Sequence, residues 1–354
     1  MPVPVQFSRR TGLSLVALAS LAACDVPTEL PQYTTVWSVP AQTTSIAASS
    51  FLPTGVTAML DNSAFVVSMS PSTSTITRQL GQDCPACVTS NGTTTAKPSF
   101  AGGGTSNLTF AANVASALLV RDTLTVTITN GFNFDPIRPS ATARGSLVVT
   151  VKSGATTVGR DTIDGSTMSL PAGAKLVRKI PLSGTVTGAN GLQIVTMLTS
   201  PAGDPVAIDM SQPLTVTGSS GPLFVANAQV NLVSQTVSAA PTELDLSGID
   251  STITKHADSG SLLLAVDNPF AATGTLTVSF IGGAFPITKS VALATGKSSP
   301  SINFSKSEIN ALFGHQLSVT LSGAVSGNGI TVAPGQGVSV ASHLLIGVNV
   351  GGSN

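Results

Sequence analysis

From Asn107 onward the sequence is interrupted by a turn signal roughly every 8–12 residues, and that rhythm limits what the chain can become. The interruptions include Ser153-Gly154, Ala189-Asn190-Gly191, Gly282-Gly283 and Gly327-Asn328-Gly329. Gly and Asn tolerate the backbone conformations that tight turns demand. The runs between them are rich in Val, Ile, Leu and Thr, as at Thr123–Thr129, Ser146–Val151, Leu192–Leu198, Thr275–Ile281 and Val338–Val350. In Thr123–Thr129, alternation places Leu124, Val126 and Ile128 on one face, the pattern of a half-buried strand. The continuous run Leu262–Val266 instead suggests a strand covered on both faces. One helix is signalled: Ser305 and Glu308 form a capping box, Ile309, Leu312 and Phe313 share a face, and Gly314 stops it. The spacing predicts an all-β protein built of sandwiches, not of βαβ units.

Composition supports a packed core and narrows the partners. Hydrophobic residues make up 42% and charged residues 9%, against about 25% charged in an ordinary soluble domain. Sixteen Lys and Arg balance sixteen Asp and Glu, so no basic face is available to follow a phosphate backbone, and nucleic acid is excluded as an expected partner. A transmembrane barrel needs aromatic girdles, and the chain has one Trp and one Tyr.

The N-terminus carries an address. Arg9 and Arg10 precede an uncharged stretch, Gly12–Ala23, too short to span a bilayer as a mature helix. It ends in Leu21-Ala22-Ala23-Cys24, which resembles the bacterial lipobox. The resemblance implies cleavage after Ala23, a diacylglyceryl thioether on Cys24, and a mature chain held to a bacterial envelope membrane. Two or three acyl chains suffice for that, each buried methylene contributing about 0.8 kcal/mol. Ser8-Arg9-Arg10-Thr11-Gly12-Leu13 also resembles a twin-arginine export motif, with Gly12 where a bulky apolar residue is usual. Residues 1–23 are thus expected to be a signal peptide and 24–42, with three prolines, an extended lipidated tether. Tyr33 and Trp37 could sit in the headgroup layer or begin the first strand over a small core; their strand-like neighbours favour the latter.

The remainder divides into a small β unit (43–104), a first sandwich (105–236) and a second (237–354). The small unit contains Cys84-Pro85-Ala86-Cys87. In an exported chain, flanked by polar turns, this pair is expected to form a local disulfide, not a redox or zinc site. Ala101–Thr105 reads as a linker or loose turn.

The sandwich segments look like copies of one another. Thr127–Phe132 resembles Ala265–Phe270, Gly145–Val149 resembles Gly274–Val278, and Leu182–Gly188 resembles Leu321–Gly327. A shared fold would overlay Asn130 on Asn268 and Gly184 on Gly323. The helix near Lys306 would then be an insertion where the first copy has the loop Pro171–Ala174.

Leu244–Phe270, with its apolar strand ending in Asn268-Pro269-Phe270, resembles the start of late-embryogenesis-abundant type 2 (WHy) domains. The resemblance implies Ig-like or fibronectin-III-like sandwiches and a stress-protection role, and it brings no catalytic residues.

No enzyme signature is present. There is no GxSxG elbow, His256, His315 and His343 are scattered, and Asp245, Asp250, Asp258 and Asp267 fit no calcium-loop pattern. No catalytic residue, metal site or cofactor is therefore expected. The reading is an envelope lipoprotein with a structural or binding role, its expected partners the membrane and an envelope protein or polysaccharide. The alternatives are a periplasmic stress-protection module and, third, a glycan-acting enzyme, which would need paired carboxylates in a pocket.

Overall fold

A computed structural model describes residues 33–61, 63–110 and 113–350, so the signal segment and Cys24 lie outside the described residues. In chain order the first strands are β1 (Tyr33–Ala47), β2 (Val56–Ala58), β3 (Phe65–Val67), β4 (Thr73–Gln79), β5 (Thr94–Lys97) and β6 (Phe100–Leu108). Then come β7 (Val114–Asn130), β8 (Ser146–Ser153), β9 (Thr156–Asp164), β10 (Lys175–Thr187), β11 (Leu192–Ser200), β12 (Gly203–Ala207), β13 (Pro213–Ser220) and β14 (Leu223–Ser238). The last are β15 (Thr242–Asp245), β16 (Ala257–Asn268), β17 (Thr273–Ile281), β18 (Ile287–Leu293), β19 (Gly296–Ser298), β20 (Ser301–Phe304), β21 (Gln316–Val332) and β22 (Gly337–Val350). Among the described residues three short α-helices, α1 (Leu80–Asp83), α2 (Ser251–His256) and α3 (Lys306–Leu312), and 3-10 turns at Ala48–Phe51 and Pro85–Ser90 accompany the strands of an all-β fold.

Strand pairing reveals two sandwiches of one topology. In the first, β7 pairs with β10 and β13, β13 with β4, β8 with β9 and β11, and β11 with β6. In the second, β16 pairs with β19, β20 and β22, β22 with β1, β17 with β18 and β21, and β21 with β15. The strands correspond in order, β7 to β16, β8 to β17, β9 to β18, β10 to β19 and β20 together, β11 to β21 and β13 to β22, with β4 and β6 matching β1 and β15 as edge strands, while β12, paired with β5, has no counterpart among the described residues. β14 then joins the copies: it pairs with the N-terminal part of β7 and the C-terminal part of β21. The result is an eleven-stranded sheet crossing both sandwiches. The copies stay distinct because each keeps a second sheet of its own.

The knot that turns the chain off each leading strand is the same. Asn130 and Asn268 are buried at 0% and 1% exposure. Asn268 Nδ2 donates to the carbonyls of Ala272 (2.9 Å) and Ala294 (2.8 Å), and its Oδ1 accepts from Phe270 N (3.0 Å). Asn130 repeats this with Phe134 O (2.8 Å), Leu170 O (2.8 Å), Pro171 O (3.0 Å) and Phe132 N (2.9 Å). Both phenylalanines two residues on are buried. An amide has two donors and an acceptor, which lets one side chain staple a turn to a neighbouring loop.

Several expectations are corrected. Residues 43–104 are not a self-contained unit: β4 and β6 are the edges of the first sandwich, and only the β2–β3 hairpin pairs within the segment, hanging on β14. The end of the expected tether, from Tyr33, is already strand β1, paired along β22. The supposed linker Ala101–Thr105 lies inside β6, where glycine is required by close approach, not flexibility. A Cβ on Gly103 would come within 2.2 Å of Thr196 O, and one on Gly104 within 2.6 Å of Ile76 Cγ2. Leu182–Gly184 and Leu321–Gly323 do not correspond, because β10 matches β19 and β20 while β21 matches β11. Gly184 takes φ +95° beside a register shift opposite β7, whereas Gly323 sits in regular pairing with a Cβ position 2.2 Å from Thr275 O. Helix α3 is present with its capping box. It lies between β20 and β21, so it replaces the tight turn before β11, not the Pro171–Ala174 loop. Leu262–Val266 is covered on one side only, since Leu263 is 41% exposed between the buried Leu262 and Leu264. The alternation in Thr123–Thr129 holds, with Leu124, Val126 and Ile128 all at 0% exposure.

Candidate functional site

The cysteine pair is joined. Cys84 and Cys87 form a disulfide with Cα atoms 5.3 Å apart. Cys84 closes α1 and opens a 3-10 turn at Pro85–Ser90, and both cysteines are buried. The bridge fixes the turn that carries Asp83 into the first sandwich.

The acids and histidines singled out in the sequence do not converge. Asp245 accepts from Ser247 N (2.9 Å) and Oγ (2.6 Å), which holds its pKa below the ordinary value. Asp258 pairs with Lys306 at 2.7 Å, and that bond lowers its pKa. Asp250 caps the first turn of α2 through its carbonyl, and Asp267 lies on the exposed face of β16. His343 meets Ser38 Oγ across β1 and β22, His256 ends α2, and His315 precedes β21. Among the described residues no group of three or more His, Cys, Asp or Glu could hold a metal ion, and no helix is long and apolar enough to cross a membrane.

Three buried ionisable groups escaped sequence reading: Asp83, which pairs with Arg78, together with Lys97 and Asp122. Lys97, 1% exposed, donates to Pro98 O (3.0 Å) and Pro201 O (2.5 Å), and its Nζ stands 4.7 Å and 5.3 Å from the Phe100 and Phe134 ring centroids. Desolvation lowers its pKa to about 8. Asp122 sits in the β7 irregularity, accepting from Phe224 N (2.8 Å) through Oδ1, while Oδ2 is buried without a partner. Burial raises its pKa.

One apolar opening lies between the two sheets of the second sandwich. There the edge strands β1 and β15 face each other. β1 loses register between Val39 and Gln42, with Pro40 in the irregular stretch; a proline suits an edge because it has no N–H to leave unpaired. Behind this mouth is a narrow cleft of about 50 Å³. Leu262, Leu264, Phe280, Leu321, Val340 and Leu344 wall its depth, and Gln42, Thr44, Thr242, Glu243 and Ser342 supply its polar atoms. Glu243 accepts from Gln316 Nε2 at 2.9 Å and is the one carboxylate among the lining residues. A single carboxylate cannot provide the acid and base of glycoside cleavage.

No protein-family model and no curated protein matches the chain. Among solved structures, a protein of Parabacteroides distasonis ATCC 8503 proposed to be secreted is 10% identical, with 88% of this chain and 99% of that chain covered at a TM-score of 0.35. A chain of Broad Bean Stain Virus is 11% identical, with 94% and 95% covered and a TM-score of 0.19. Likeness at this level adds nothing to what the strand pairings establish.

Proposed function

We propose that this chain is a lipid-anchored protein of a bacterial envelope whose sandwiches have a binding role. The observation that carries the reading is how directly anchor and module connect. Cys24, at the end of the lipobox-like stretch, stands a few residues before Tyr33, where the chain enters the edge strand of the second sandwich. A lipid on Cys24 would hold that sandwich, and the mouth of its cleft, close to the bilayer. Tyr33, Val36 and Trp37 on β1 are 59%, 61% and 45% exposed. They begin a strand, as the sequence favoured, yet are exposed, and the rings of Tyr33 and Trp37 are of the kind favoured at the headgroup level.

Fractionation tests the anchor. The wild-type protein is expected in the membrane pellet and the detergent phase, with its N-terminus beginning at Cys24. Cys24→Ser is expected to yield an unprocessed or aqueous product. A processed Cys24→Ser chain that still partitions into detergent would refute the anchor.

A further inference from the structure

The long edge strands of the fold are guarded, with one exception. An unpaired strand edge invites another chain to pair, and proteins blunt it with charge, proline or cover. β4 carries Arg78, β9 Arg160 and Asp161, β10 Lys175 and Lys179, and β18 Lys289. β6 has no charge but lies against β4, where a Cβ on Gly104 would meet Ile76 and Arg78. Among the described strands β1 pairs with β22 alone. Its 15 residues hold no Lys, Arg, Asp or Glu. Its one proline, Pro40, sits in the register break between Val39 and Gln42. The segment before it, Tyr33–Val39, is an unbroken edge without a guard.

Every residue from Tyr33 to Ser38 is exposed, and the segment complements itself. Turned end for end about Val36, Tyr33 faces Val39, Thr34 faces Ser38 and Thr35 faces Trp37. Aromatic rings opposite β-branched side chains are favourable antiparallel pairs, and no charge meets a like charge. A strand paired antiparallel with its own copy has two-fold symmetry, so the contact closes at two chains. A foreign peptide would need this match by chance, whereas a second copy has it by construction. The length of the preceding chain agrees. Tyr33 is nine residues from Cys24, a reach of about 30 Å when extended. In such a pair the two Tyr33 residues lie about 20 Å apart along the strands, so two chains anchored at Cys24 reach one bilayer together.

We propose that two copies of this chain pair antiparallel through Tyr33–Val39, in register on Val36. The pairing joins their second sandwiches into one sheet, in the order β16-β22-β1 and then β1-β22-β16 of the second copy. Pro40 has no N–H to donate and ends the ladder. The inference goes beyond the binding role proposed above. An anchor at Cys24 would hold the copies in one plane and raise their effective concentration, but the pairing itself does not require it.

Disulfide trapping in the full chain tests the register. Cys84 and Cys87 are already bridged, so one introduced cysteine supplies the reactive thiol. Each variant is made with Cys24 and with Cys24→Ser, and the same pattern is expected in both, which separates the pairing from the anchor. Val36→Cys is expected to give a dimer on mild oxidation. Residues opposite one another in an antiparallel pair have Cα atoms about 4.5–5.5 Å apart, and a disulfide spans about 4.4–6.8 Å. Thr34→Cys and Ser38→Cys are each expected to stay monomeric alone, since each lies about 13 Å along the strands from its own copy. Mixed together, these two variants are expected to cross-link. Val177→Cys, exposed on the guarded edge β10, is expected to give no dimer. Val36→Lys sets like charges opposite each other; added to both members of the mixed pair, it is expected to abolish their cross-link at unchanged melting temperature. No dimer from Val36→Cys, equal trapping by Thr34→Cys, Val36→Cys and Ser38→Cys alone, or a mixed cross-link that survives Val36→Lys would overturn the proposal.

Discussion

Replacing Asn268 by Ala removes a side chain whose bonds all end on backbone. The Phe270 N–H and the Ala272 and Ala294 carbonyls lose their partner together. Each buried group left unsatisfied costs about 1–3 kcal/mol. The carbonyls can relax toward other donors, so the expected total is about 3–5 kcal/mol rather than the full sum. Asn130→Ala should cost the first sandwich a similar amount, since it orphans the Phe132 N–H and the Phe134, Leu170 and Pro171 carbonyls. Aspartate separates geometry from polarity. Asn268→Asp keeps the acceptor for Phe270 N but turns a carboxylate oxygen toward two carbonyls. Burial against those dipoles raises the folded-state pKa above the ordinary Asp value of about 3.9. The protonated form can still donate one bond. The penalty of Asn268→Asp relative to wild type should therefore be smallest near pH 4 and grow as the pH rises through the folded pKa. Urea unfolding followed by circular dichroism at pH 4 and pH 7 measures both variants. A cost below about 1 kcal/mol for Asn268→Ala, or an Asn268→Asp penalty independent of pH, would refute the reasoning.

Thiol counting on denatured, unreduced protein should find neither Cys84 nor Cys87 free; closing so short a loop contributes about 2 kcal/mol by chain entropy, and the double Ala variant should lose at least that in urea unfolding. Lys97 has a folded pKa of about 8, below its ordinary 10.5. The fold therefore disfavours the charged form below pH 8, and stability is regained as the pH rises toward 10.5. Relative to Lys97→Met, the wild type should gain up to about 3 kcal/mol across that window, and a flat difference would count against a desolvated ammonium. Asp122 has a raised pKa, so its ionised form costs stability above the unfolded value. Asp122→Asn should raise the unfolding midpoint at pH 7 and leave it little changed near pH 4, as paired thermal melts would report.

The all-β class, the alternation in β7 and the capped helix α3 were legible in the sequence because each is written in neighbouring residues: period two, turn pairs, a Ser and a Glu three apart. The Asn130 and Asn268 repeat was legible for the same reason, since each knot is organised by a side chain bonding its own chain two and four residues on. What sequence could not decide is which strand lies beside which. β1 opens the described chain and completes the sandwich that closes it, because a sheet edge accepts any strand whose backbone groups it can pair, and backbone pairing leaves no mark on side-chain identity. The Leu-Ser-Gly match misled for that reason: two glycines answer to different neighbours, one to a positive φ and one to a carbonyl across the sheet. The cleft is likewise a tertiary fact. Its walls are ordinary core side chains that β16 and β22 of one sheet and β17 and β21 of the other bring together.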